Sequence, residues 1–87
     1  MRRSRQLIIA EILTICKNGA IKTWIVYQAN LNFKTVDDYL SFIIKQGWVE
    51  KVAIGYQTTL AGLVALDRLN EANKLLAGLI LSVPDEK

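Results

Sequence analysis

Residues 30–59 read NLNFKTVDDYLSFIIKQGWVEKVAIGYQTT, and a change of period inside this stretch decides the fold. Val36, Leu40, Ile43 and Ile44 recur at three- and four-residue spacing, which predicts a helix from Phe33 to about Gln46 with those four as its buried stripe. Asn32 is a good N-cap for that helix and Gly47 a stop. Lys34, Thr35, Asp37, Asp38, Ser41 and Lys45 are left pointing outward. After Gly47 the period falls to two. Trp48-Val49-Glu50-Lys51-Val52, a turn at Ala53-Ile54-Gly55, and Tyr56-Gln57-Thr58 read as a small hairpin.

Upstream, Ser4 caps a first helix whose Ile8, Ile12 and Ile15 share a face with Ile9, Leu13 and Cys16 beside them. Lys17-Asn18-Gly19 ends it, with a cation at the negative helix end and two residues that accept the left-handed conformation. Ala20 to Lys22 is a connector with room for one β-bridge. Thr23 is expected to cap a short second helix through Ala29, and Asn30-Leu31-Asn32 makes the tight turn into the third. Downstream, Thr59 caps a long helix from Leu60 to about Leu81, stopped before Pro84. Its Leu60, Leu63, Val64 and Leu66 are expected to pack on the first helix. Helix, helix, turn, helix, hairpin, helix is the order of a winged helix-turn-helix, mostly α with a small β-hairpin (α+β), here with a long C-terminal dimerisation helix. The expected organisation is a flexible basic arm over residues 1–5, a winged helix-turn-helix over 6–59 and a dimerisation helix over 60–83.

A chain of 87 residues is one small domain, and 52% hydrophobic residues set it apart from disordered chains. With no histidine and one cysteine it has no Cys/His zinc site, no Ser-His or Cys-His nucleophilic pair and no internal disulfide. No catalysis, cofactor or metal is expected. Cys16 reads as a buried core thiol in a reducing, cytoplasmic setting. The most apolar run, Leu75 to Val83, falls short of the ~20 residues that cross a bilayer, so no membrane span is expected.

The formal charge of +3 is unevenly spread. Residues 1–58 hold eight basic and four acidic side chains, whereas residues 59–87 hold three and four. In a helix-turn-helix the second helix of the motif enters the major groove, so Asn32, Lys34, Thr35, Asp38, Ser41 and Lys45 are the candidates for contact with double-stranded DNA. Arg2, Arg3 and Arg5 on the arm, Lys22 and Thr23 at the start of the second helix, and Lys51, Tyr56 and Gln57 on the wing are candidates for phosphate and groove contact. Tyr56 has a second reading, packed back on the core. Asp37 and Asp38 oppose phosphate unless they pair with a base such as Lys34 or Lys45. On the last helix, Ala65, Leu69, Ala72, Leu76, Leu79 and Val83 follow the alternating four-and-three spacing of a coiled-coil seam, widened by Ile80. That spacing predicts a homodimer.

The run Cys16-Lys17-Asn18-Gly19, Lys22-Thr23, Ile25, Tyr27, Ala29-Asn30-Leu31-Asn32-Phe33, then Tyr39-Leu40, Gly47-Trp48-Val49 and Thr59-Leu60-Ala61-Gly62, resembles the archaeal winged-helix family typified by the Sulfolobus "Sso ten a" chromatin proteins, with related small regulators in archaeal viruses. The likeness covers residues 6 to about 70. It implies a winged helix, an antiparallel coiled-coil dimer through the last helix, and DNA as ligand, in the nucleoid of the cell or in the host cytoplasm for a viral protein. The chain departs from that family at Asp37 and Asp38 and in its modest charge. The leading expectation is a dimeric transcriptional regulator. The alternatives are an architectural chromatin protein with little sequence preference, and a winged helix used only for protein interaction.

Overall fold

The computed structural model describes residues 3–81, with the side chains of residues 3–72 and 74. Its elements are α1 (Arg5–Ile15), α2 (Lys22–Ala29), α3 (Phe33–Lys45), β1 (Val49–Val52), β2 (Gly55–Thr58) and α4 (Leu60–Leu81). The order is the one read from the periodicities.

Local chemistry accounts for most of the boundaries. The Ser4 hydroxyl accepts from the Leu7 amide at 3.1 Å, satisfying one donor that the first turn of α1 leaves open. Asn32 does the same for α3, its Oδ1 accepting from the Thr35 amide at 2.7 Å. Asn30 ends α2 in the left-handed region at φ 55°, ψ 51°. The start of α2 differs from the expected cap at Thr23: its N-cap is Ile21, which has no side-chain acceptor, and the helix already includes Lys22. The bridge between Ala20 and Tyr56 fixes the chain just before it, with paired N–H···O bonds of 2.9 and 2.8 Å. Tertiary pairing therefore sets this boundary where a cap was expected.

β1 and β2 pair antiparallel, Val49 opposite Thr58 and Val52 opposite Gly55. Two adjacent threonines at the hairpin's root seat it. The buried Thr58 hydroxyl donates to the Leu13 carbonyl at 2.7 Å, and its amide donates to the Cys16 carbonyl at 2.9 Å, so the hairpin satisfies acceptors at the end of α1. The Thr59 hydroxyl donates to the Gly47 carbonyl at 2.6 Å and its amide to Trp48 O at 2.9 Å. That same hydroxyl accepts from the Gly62 amide at 3.0 Å, capping α4.

The core lies where α1, α2 and α3 meet the hairpin, with Ile12, Leu13, Cys16, Ile25, Val36, Ile43 and Val49 fully buried. Of the stripe expected on α3, Ile44 is the exception at 40% exposure. α4 adds Leu66, with Ala65 and Leu69 half-buried beside it. Leu60, Leu63 and Val64, expected to pack on α1, instead face solvent at 82, 38 and 56% exposure. The cause is the rotation of α4. Gly62 lies so close to the hairpin that a Cβ there would stand 1.9 Å from Trp48 O. At 100° per residue, turning Gly62, Ala65, Leu66 and Leu69 inward turns Leu60, Leu63 and Val64 out.

Burial pushes the Cys16 thiol from its ordinary 9.0 up to about 11. Because the folded value lies above the unfolded one, this contribution is complete below pH 9 and is lost as pH rises through 11. The urea midpoint of the wild type is expected to fall between pH 8 and pH 11, by an amount equivalent to roughly 2–3 kcal/mol more than that of a Cys16→Ala variant. Parallel curves for the two proteins would refute the assignment.

Candidate nucleic-acid interface

Turning Val36, Leu40 and Ile43 inward puts Lys34, Asp38, Ser41 and Lys45 on the opposite side of α3, and all four are exposed. Asn32 is exposed at the helix start, although its Oδ1 is already used as the cap. Thr35 is half-buried. On α2, Lys22 is half-buried and Thr23 exposed. On the hairpin, Lys51 and Gln57 are exposed, while Tyr56 is half-buried and packs against the core. The packed reading of Tyr56 therefore holds for its ring.

The carboxylates of α3 are paired. Lys34 Nζ lies 3.4 Å from Asp38 Oδ2, one turn along the helix. The partner of Asp37 is neither Lys34 nor Lys45. It is Lys22 at the start of α2, with Nζ 2.5 Å from Oδ1. The hydrogen bond to Asp37 raises the pKa of Lys22, against a smaller opposing effect of desolvation, and Tyr56 adds to the rise. Lys22, Asp37 and Tyr56 thus form one contact set joining α2, α3 and the wing. Both pairs are open to solvent on at least one side, where screening keeps an ion pair weak, so either lysine can leave its carboxylate for a phosphate at little cost.

Of the N-terminal arginines, Arg3 and Arg5 are within the described residues. Arg5 is the first residue of α1. Arg3 pairs with Glu11 and donates to the Asn30 carbonyl at 3.4 Å, which turns it toward the end of α2. Arg2 lies outside the described residues. Arg5 also lines a cleft of about 320 Å³ with Ile9, Asp38, Tyr39 and Phe42, which brings its charge to the side of α3. Among the described residues, Arg5, Lys45 and Lys51 are the candidate cations outside any ion pair.

Two features escaped the sequence reading. The Lys22–Asp37 contact joins residues on either side of the turn between α2 and α3, and no helical spacing rule links them. The exposure of Ile54 at 77% on the hairpin tip was readable from its place in the turn, but an apolar residue there carried no signal of its own. Of the expected seam on α4, Ala65 and Leu69 lie against the chain's own core and Ala72 is exposed. Leu76, Leu79, Ile80 and Val83 lie outside the described side chains.

Among the described residues no helix is long and apolar enough to cross a membrane, and no group of three or more His, Cys, Asp or Glu is placed to hold a metal ion. Residues 2–77 match the family described as winged helix-turn-helix. Two uncharacterized proteins of Methanocaldococcus jannaschii are similar in sequence. One is 32% identical over 77 residues, which is 87% of this chain and 36% of that protein. The other is 39% identical over 62 residues, 70% of this chain and 64% of its own length. The chain thus spans less than two thirds of either relative. With the family match running through the helix-turn-helix and its hairpin alike, the chain belongs to the archaeal winged helix-turn-helix proteins, a DNA-binding and non-catalytic fold.

Proposed function

We propose that this chain is a dimeric transcriptional regulator that reads duplex DNA with α3 in the major groove. The observation that carries the reading is the solvent-facing polar row Lys34, Asp38, Ser41 and Lys45, standing on a helix directly followed by the hairpin. Asn32 and Thr35 sit at the leading end of that helix. Lys51, Gln57 and the hydroxyl end of Tyr56 on the wing, with Lys22, Thr23 and the arginines at 2, 3 and 5, supply the phosphate contacts that fix register. Two paired carboxylates on α3 weigh against dense coating of DNA, and Asp38 suits a cytosine amino group, for which a carboxylate is an acceptor.

Dimerisation belongs to the later part of α4. The helix rises roughly 33 Å, and among its described side chains Ala65, Leu66 and Leu69 lie on the domain. With Ala65 and Leu69 committed to the chain's own core, the seam runs from Ala72 through Leu76, Leu79, Ile80 and Val83. The proposal includes a division into a DNA-binding unit and a dimerisation helix, the narrower kinship with the Sulfolobus "Sso ten a" chromatin proteins and a place in the nucleoid. In sedimentation, Leu76→Asp is expected to convert a dimer to a monomer, because it buries a charge in the seam. An unchanged dimer, or a monomeric wild type, would refute this part.

The regulator reading is tested by selecting bound sequences from a random duplex pool, then titrating the selected duplex against scrambled competitor at fixed salt. A specificity ratio of about a thousand or more is expected. A ratio near one would assign the protein to the architectural class, and salt-independent or absent binding would remove DNA as the ligand.

A further inference from the structure

The wing carries an aliphatic side chain where a turn ordinarily carries a polar one. Ala53 and Ile54 are the two residues between β1 and β2, and Ile54 is 77% exposed. Turn positions favour Gly, Asn, Asp, Ser or Pro, each for a conformational or hydrogen-bonding reason. Ile54 meets none of them. The turn itself does not call for isoleucine, because the positive φ, +97°, falls on Gly55. A local rule broken without structural need points to use elsewhere.

Two further observations say what the tip would enter. First, the hairpin is held rigid along β2, from Thr58 at its root to Gly55 beside the turn. Thr58 is bonded to Leu13 O and Cys16 O, Tyr56 is paired with Ala20, and a Cβ on Gly55 would stand 2.3 Å from Ala20 O, so the strand backbone lies directly on the connector between α1 and α2. Second, the charge nearest the tip is positive. Lys51 is opposite Tyr56, one pair behind Val52 and Gly55, while Glu50 is opposite Gln57, a pair further back. A rigid two-stranded ribbon with an aliphatic point and a lysine behind it suits a duplex groove: the cation holds a flanking phosphate while the point meets the base stack.

We infer that Ile54 is a wedge that enters the minor groove and partly unstacks one base step, kinking the duplex. Aliphatic side chains that do this act at flexible pyrimidine–purine steps, where unstacking costs least. The inference rests on the DNA-binding reading above and adds to it a deformation of the DNA and a preference for TA or CA steps at a position that the reading helix does not touch.

The test uses the full chain and a short fluorescein-labelled duplex with 2-aminopurine in place of the adenine of a central TA step. Anisotropy reports binding and 2-aminopurine emission reports unstacking, in one titration at low salt. Wild type is expected to bind with a severalfold rise in 2-aminopurine emission. Ile54→Ala, at an exposed tip that the fold does not need, is expected to bind within about tenfold of wild type and to give no rise. Ile54→Leu is expected to restore it. Wild-type binding without brightening would overturn the wedge and leave the DNA-binding reading standing, as would an Ile54→Ala response equal to wild type. Anisotropy that stays flat for wild type would overturn both.

Discussion

Gly62→Ala is expected to destabilise the protein by about 3 kcal/mol or more, at the upper end of what overpacking usually costs. The urea midpoint would fall by roughly 1–3 M. The added methyl has no room. It would stand 1.9 Å from Trp48 O and 2.6 Å from the Thr58 methyl carbon, and neither the hydrogen-bonded backbone at Trp48 nor a hydroxyl-anchored threonine can step aside. α4 would have to withdraw, stretching the Thr59 bonds to Gly47 O and Trp48 O and lifting Leu66 out of the core. Helix propensity pulls the other way, since alanine is favoured over glycine by about 1 kcal/mol in a helix interior. The sign of the change therefore shows which effect governs the site. Leu63→Ala, one residue on but facing solvent, serves as the control and is expected to change stability by no more than about 1 kcal/mol. Equal or higher stability of Gly62→Ala would refute the close seat of α4 on the hairpin.

Reversing charge on the outer face of α3 is expected to have the largest effect on binding. Lys34→Glu together with Lys45→Glu exchanges two cations for two anions beside Asp37 and Asp38, leaving the face without a basic group. Affinity for any duplex is expected to fall at least about a hundredfold at low salt, and the dependence of log K on log salt to flatten by about two. Both side chains are exposed and outside the core, so circular dichroism and the urea midpoint should be close to wild type. Asp37→Asn with Asp38→Asn is expected to act in the opposite direction, releasing Lys22 and Lys34 from their carboxylates and tightening binding at low salt. Anisotropy titrations over a range of salt measure both. Unchanged affinity in the charge-reversed variant would remove α3 from the interface.

What the sequence made legible follows the range of the forces involved. Ser4, Asn32 and Thr59 were readable as caps because a cap is settled within three residues. The switch from helical period to strand period at Gly47 was readable because burial imposes it on consecutive side chains. Rotation of a long helix is different. Leu60, Leu63, Val64 and Leu66 are alike as letters, and which of them turns inward is decided by the approach of Gly62 to the Trp48 backbone, a contact between elements. Ile44 was misread for a similar reason: it sits at the margin of an apolar stripe, and the neighbours on that side decide its burial. The solvent-facing side of α3 was legible from its polar residues, but its ion pairing was not, since the partner of Asp37 comes from the preceding helix. Arg3 and Arg5 were legible as basic and illegible as placed, because Glu11 and the first turn of α1 draw them in.

The neighbouring threonines at 58 and 59 hold the ends of two different helices, one gripping α1 through Leu13 and Cys16 and the other gripping the turn after α3 through Gly47 and Trp48. That makes the junction a point of fixed chain length. One residue inserted between them would pull one grip out of reach and advance α4 by about 100°, bringing a different row of side chains against the domain. Related chains are therefore expected to vary in length at the wing tip, around Ala53 and Ile54, or in the Lys17–Gly19 turn, and to keep the same count between the hairpin and the helix that follows it.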